Sequence, residues 1–436
     1  MRTRGVRRVT PGEVTMLRIM FFELKKMLTR RVALIVNAGV LVMLCGIMTL
    51  NVVQARFALS DGSFIGGPAA IQAAREEREA RAGQLSVERI LSDVQGYREL
   101  VLSELDAADL LEMTDAAAYS AAAQAFTDEQ FDTLYDPYWS WLMSPFRRAG
   151  EEPYQTAVRV SDDEFAAYYG AVAQLTQDAL DEGQGGSWDY SAAERAYWTD
   201  LEASVAEPIS YGWAGAWDNI VSCVAFLAFA MLAVCVTLTP VFSAEYQEGT
   251  DAVLLATRYG RSRLVAAKVA ASLLYATVYF ALAAAIVCGV SVAFYGAGGF
   301  DLPLQALSIW TPYPLTCGQA ALLSVGLMYA CTLGVAGLTL LLSSRTRSAL
   351  AVIVVDVVVV FLTGMVPSGG SGILEHLLRL FPMSFSNFST LFTSLTSYPV
   401  GPVVLDLAGA VTVTWLALAI VALPLSVVSW RRHQVA

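Results

Sequence analysis

From about Gln54 to Asp218 the chain carries a long polar, acidic stretch, and apolar runs of membrane length flank it on both sides. A hydrocarbon core of about 30 Å takes about 20 apolar residues in a helix, so the flanks read as membrane spans and the stretch between them as one soluble domain. Residues 55–218 hold 30 Asp/Glu, 10 Arg and no Lys, a net charge of −20. Residues 1–31 hold nine Lys/Arg against Glu13 and Glu23. Short basic segments stay in the cytoplasm, which puts the N-terminus inside and the acidic domain outside.

With 56% hydrophobic and 15% charged residues the chain is a multi-span membrane protein. The apolar runs Val32–Val53, Ile220–Phe242, Leu264–Tyr295, Gln319–Leu342, Ala349–Val366 and Val403–Trp430 predict six spans. Six crossings return the C-terminal tail 431–436, with Arg431 and Arg432, to the inside, and bring Arg345 and Arg347 of the loop Ser343–Ser348 to the same face. The expected fold class is an all-α membrane protein: six transmembrane helices, with a helical extracytoplasmic domain (54–218) between spans one and two. The overall charge of −11 argues against nucleic acid as a partner, but it sits almost wholly in the outer domain. The cytoplasmic face is basic and suits anionic lipid and partner carboxylates. Six cysteines, none in the acidic domain, outline neither a disulfide framework nor a metal cluster, and His376 and His433 are too far apart in sequence to suggest a metal site. Residues 1–15 are basic and contain Gly and Pro, and read as a disordered leader or an over-extended start ahead of Met16, not as a secretory signal.

Ahead of the first span, residues 16–31 predict an interfacial amphipathic helix on the inner leaflet. Leu17, Met20, Phe21, Leu24, Met27 and Leu28 recur at helical spacing, with Arg18, Glu23, Lys25 and Lys26 mostly opposite. In the acidic domain three capping boxes mark helix starts: Thr127 with Gln130, Ser161 with Glu164, and Ser191 with Glu194. The helix begun at Ser161 is expected to stop at Glu182-Gly183. Ala-rich stretches at 69–82 and 86–125 also favour helix. Trp139, Trp141, Trp188 and Trp198 supply bulk for a core without disulfides, and Tyr211, Trp213 and Trp217 predict an aromatic collar at the membrane. The remaining outer segments are a loop at Gly296–Gly318 and a stretch Pro367–Pro402, with a short surface helix over Ile373–Phe381.

The segment joining spans two and three reads Phe242-Ser-Ala-Glu245-Tyr-Gln-Glu248-Gly249-Thr250-Asp-Ala-Val-Leu254-Leu255-Ala-Thr-Arg258-Tyr-Gly260-Arg261-Ser-Arg263, followed by Lys268. Gly249 can break the preceding helix and Thr250 can cap a new one. Leu254 and Leu255 make an apolar patch, and Arg258, Arg261 and Arg263 follow at the membrane surface. Glu-x2-Glu-Gly-Thr, Leu-Leu, Ser-Arg and a Lys entering the next span resemble the coupling loop of ABC type-2 (ABC-2) exporter permeases. The resemblance covers 16–53 and 219–430 and leaves out the outer domain. Tyr259-Gly260-Arg261 stands where the family usually has a Pro before Ser-Arg.

The resemblance implies a permease subunit whose loop 243–263 seats in a cleft of a separate ATPase. Glu245, Glu248, Gly249, Thr250, Leu254, Leu255, Arg261 and Arg263 are then the coupling positions, with Phe21, Lys25 and Lys26 on the interfacial helix. It also implies a second permease copy or paralogue as partner, and ATP and Mg held on the ATPase, not on this chain. None of the three lysines, Lys25, Lys26 and Lys268, lies in a Gly-x4-Gly-Lys-Ser/Thr phosphate loop, so the chain carries no ATPase motif of its own.

Asp356, in the fifth predicted span, is the intramembrane candidate for a substrate path or gate, weighed against a helix–helix hydrogen bond. Asn37, Thr237 and Thr239 read as packing contacts, and Gly334 and Gly337 as sites of close helix approach. His376 with Glu375 reads as a solvated face. Acidic runs such as Glu76-Glu77 and Asp162-Asp163-Glu164 serve solubility or attract a cationic substrate. Two rival readings stand beside the permease. One is a membrane sensor, mechanotransmitter or immunity protein whose outer domain binds a ligand; mechanotransmitters have four spans, so the span count separates the two. An ion-coupled carrier would want more intramembrane charge than Asp356 and inverted repeats.

Overall fold

The computed structural model describes residues 11–59, 63–257, 259–365 and 372–432. Residues 1–10 of the basic leader, together with Arg258, Pro367 and His433, lie outside the described residues. The membrane part is built from α1 (Pro11–Leu28), α2 (Arg31–Gln54), α3 (Gly215–Gln247), α4 (Asp251–Ala256), α5 (Arg263–Tyr295), α6 (Cys317–Ser343), α7 (Ala349–Met365) and α8 (Leu407–Arg432). Five of these, α2, α3, α5, α6 and α8, are long and apolar enough to cross a membrane. The apolar α7 occupies the fifth predicted span, and its 17 described residues rise only about 26 Å.

Two boundaries differ from expectation. The sixth predicted span begins four residues late, because Val403–Asp406 pairs as a strand with Ser397–Val400 across the turn Gly401-Pro402. Asp406 then starts α8 by accepting a 2.8 Å hydrogen bond from the Gly409 amide. The second predicted span is longer than expected at both ends. It runs 33 residues, about 50 Å, with a 3-10 turn at Val224–Phe226.

Small residues let the helices approach closely. A Cβ on Gly334 would lie 2.7 Å from the Trp415 ring, and one on Gly337 would lie 3.3 Å from the Ala419 backbone, so α6 and α8 pack backbone against backbone. Asn37 pins three helices together: its amide donates to Thr237 (3.2 Å), and it accepts from Tyr275 (2.9 Å) and, through its carbonyl, from Tyr279 (2.9 Å).

Between α2 and α3 lies the acidic region, made of short helices. All three predicted capping boxes form, at Thr127, Ser161 and Ser191. The helix begun at Ser161 ends at Ala166. A second one runs Tyr168–Gly186, past the expected stop, with Gly183 and Gln184 at positive φ. Residues 85–168 close around an aromatic core in which Tyr97 stacks on Trp139 at 4.0 Å and Tyr138 meets Trp139 and Tyr211 edge-on.

The acidic region does not stand on a single core of its own. Leu180, Tyr190 and Trp198 join the core of the membrane bundle, because the segments that carry them rest on one end of it; there Trp198 meets Tyr313 at 5.7 Å. The expected aromatic collar is likewise turned inward. Tyr211 is buried in the aromatic core, while the indoles of Trp213 and Trp217 donate to the carbonyls of Tyr295 (2.8 Å) and Gly298 (2.9 Å).

These contacts define two ends. The acidic region caps one. At the other, here the basal end, gather α1, α4, the loop after α6 and the last turn of α8.

Candidate functional site

The basal site starts from a helix stop. Gly249, at φ +66, ends α3, and the Thr250 amide bonds back to the Glu245 carbonyl at 3.0 Å. The short α4 follows. Thr250 precedes it without capping it: its hydroxyl turns back toward the Glu245 carbonyl (3.4 Å). Gly260 closes the loop against the Leu254 carbonyl, where a Cβ would sit 1.7 Å from that oxygen, and its own carbonyl accepts from the Trp430 indole at 3.2 Å. In the Tyr259-Gly260-Arg261 segment, where the resemblance expects a Pro, the turn thus packs its Gly260 on backbone.

Other contacts lock the loop to the bundle. The Ser343 hydroxyl receives the amides of Phe242 and Ser243, each at 3.1 Å, just after Pro240, which has no N–H of its own to give. Tyr246 donates to the Ser344 carbonyl (2.9 Å), and Gln247 to the Arg347 carbonyl (2.5 Å).

At the centre lies a buried charge cluster. The Lys268 ammonium, 1% exposed, donates to Glu245 at 2.6 Å, to Glu23 at 3.0 Å and to the Val241 carbonyl at 3.1 Å. An ammonium has three N–H donors, and all three are used. Lys26 reaches Glu245 from the rim at 3.3 Å, so two carboxylates face two ammonium groups. The cluster joins α1, α3 and α5. Only one Glu245 oxygen takes part; the other is buried with no hydrogen-bond partner among the described residues. Desolvation costs several kcal/mol per ion and is offset only by close, opposite-charge contacts, so removing one member costs about 3–5 kcal/mol.

This placement corrects several expectations. Glu245 is sealed inside and is not a surface position. Of the apolar pair, Leu255 is buried and Leu254 half-buried against the core, because α4 lies back on the bundle; Val253 is the exposed apolar residue. Glu23 does not share the solvent face of α1 but points inward with Met27, while Phe21, Leu17 and Leu28 are exposed. Glu248, Gly249, Thr250 and Arg261 are exposed on the basal surface, as is Lys25 on α1. Arg263 is half-buried, its guanidinium 4.6 Å above the Tyr259 ring. Sequence reasoning left Glu23 and Lys268 out of the site, though a lysine inside an apolar span is itself a signal.

Away from the basal end, Asp356 is fully buried. One oxygen accepts from Thr339 at 3.0 Å, and the other finds no hydrogen-bond partner. His376 is also buried, contrary to the solvated face expected. It stacks on Trp188 at 3.6 Å between ring centroids and meets Tyr398 edge-on. Burial, and then the charge of Arg379, hold its imidazole below the usual histidine range. In the acidic region Glu77 is pushed up to about 7, first by burial and then by the charge of Asp136.

The sequence profile of the family described as ABC-2 family transporter protein matches residues 90–432. The chain belongs to the ABC-2 transporter family. The matched span holds α3–α8 and also most of the acidic region, which the resemblance leaves out, and it begins beyond α1 and α2. With its long apolar helices, this membership makes the protein a multi-pass membrane permease component of an ABC transporter. Comparison with curated proteins and with solved structures gives no match.

Proposed function

We propose that the chain is the permease subunit of an ATP-driven exporter in a bacterial plasma membrane, with the basal end and both termini in the cytoplasm. In this reading α7 makes the fifth of six crossings, between the basal loop 343–348 and the outer helix Ile373–Arg379. A separate ATPase seats against the basal surface formed by Glu248, Gly249, Thr250, Val253 and Arg261. Glu245, Glu23 and Lys268 transmit its motion without touching it. ATP binding would draw the ATPases together and push α4. The buried cluster would carry that displacement to α1 and α5 together, opening a cavity between this chain and a second permease copy. The acidic region, outside, would gate or select the cargo.

One observation carries the reading: a buried, charge-balanced cluster binds the interfacial helix to the loop helix at the end opposite the acidic region. Co-purification with a co-expressed ABC ATPase subunit tests it. Glu248→Arg and Arg261→Glu, both on exposed positions, are expected to release the ATPase while the permease still folds. Undiminished complex with both variants would reject the docking surface.

A further inference from the structure

Between α1 and α5 the basal half of the bundle carries a lateral groove of about 210 Å³. Leu24 and Leu28 form one wall, and Leu274, Val278 and Leu282 the other. The last three recur every fourth residue, so they make one straight apolar stripe about 12 Å long down α5. Tyr275 and Tyr279 line the floor, yet their hydroxyls are spent on Asn37 at 2.9 Å each and leave only ring carbon facing the groove. Nothing in the lining offers a hydrogen bond, so the groove suits a hydrocarbon chain and no polar ligand.

The mouth has the opposite character. Arg18, Lys25, Arg30 and Arg31 belong to α1 or to its junction with α2, and among the described residues none of them forms a salt bridge; Lys26 alone in that segment is committed, to Glu245. We propose that this groove binds one anionic phospholipid. An acyl chain lies along Leu274, Val278 and Leu282, and the phosphate sits among Lys25, Arg30 and their neighbours. A second copy of the chain would bring the same cations to the groove and be repelled, whereas an anionic headgroup completes them. The lipid would then brace α1, one of the three helices held by the buried cluster. This rests on the inner-leaflet position of α1 proposed above.

The test uses the full-length protein in nanodiscs of mixed phosphatidylglycerol and phosphatidylcholine, with retained lipid measured by native mass spectrometry. One phosphatidylglycerol per chain should be retained with a preference of roughly thirtyfold over phosphatidylcholine, as expected for two cations near a headgroup. Val278→Trp fills the groove and should abolish retention. Lys25→Gln with Arg30→Gln should erase the preference and leave the melting temperature unchanged. If Val278→Trp does not melt like the parent, Leu28→Trp on the opposite wall replaces it. Equal retention of the two lipids, or parental retention in both variants, would mean annular lipid only and overturn the site. Neither result would touch the ATPase co-purification, so the two readings fail separately.

Discussion

The acidic region and the basal cluster use the same chemistry to different ends. In the acidic region six ion pairs lie among a large excess of carboxylates, and in each of them at least one partner is partly exposed to water. At the basal end only four charges meet, but Glu23, Glu245 and Lys268 are buried. Screening and side-chain entropy leave exposed pairs worth about 0–1 kcal/mol, while a buried set is costly to make and costlier to break. The lesson is that the region richest in charge is not the region where charge decides the structure.

That contrast can be broken at graded depths. Lys268→Met leaves buried Glu23 without its ion-pair partner and Glu245 with Lys26 alone, and should lower unfolding stability by about 3–5 kcal/mol, read by chemical denaturation of the purified chain. A loss under about 1 kcal/mol would place the cluster in the same class as the surface pairs. Arg159→Ala, which removes a pair only partly buried with Glu151 and a bond to the Phe146 carbonyl, should cost about 1–3 kcal/mol. Arg75→Ala, which removes a pair about half exposed on both sides, should cost no more than about 0.5 kcal/mol. If these two lose equally, depth of burial is not the governing variable.

The smallest effect is a pH slope. Glu77, lifted to about 7 when folded, holds its proton more tightly in the native state than in the unfolded chain. Its contribution is therefore fully present below the ordinary carboxylate value and is lost as pH rises through about 7. Melting of the acidic region should rise modestly from pH 8 to pH 5, and Glu77→Gln should flatten that rise. An unchanged slope in the variant would assign it to another group.

Much of this architecture was legible in the sequence where the signal is local or periodic. The capping boxes at Thr127, Ser161 and Ser191 need only four residues each, and each forms. Gly334 and Gly337 announce a close contact by their spacing alone. What escaped depends on which way a helix face turns. Glu23 follows Met20 by three residues and precedes Met27 by four, so helical spacing already put it on the inward stripe, but its charge suggested solvent. Its partner, Lys268, lies 245 residues away, and no local pattern links them. Leu255 and His376 failed for the same reason: a neighbour distant in sequence covers each one. The strand at Val403–Asp406 was hidden inside an apolar run that suits a helix equally well by composition.

One helix gives these regions a common mechanics. Gly215–Gln247 is rooted beneath the acidic region through Trp217 and ends inside the buried cluster at Glu245. A rod about 50 Å long that pivots near its middle behaves as a lever: a basal shift of one or two ångströms returns as a comparable swing, in the opposite sense, at the foot of the acidic region. Movement of the acidic region and force applied at the base would then share one moving part, with no relay of side chains needed between them.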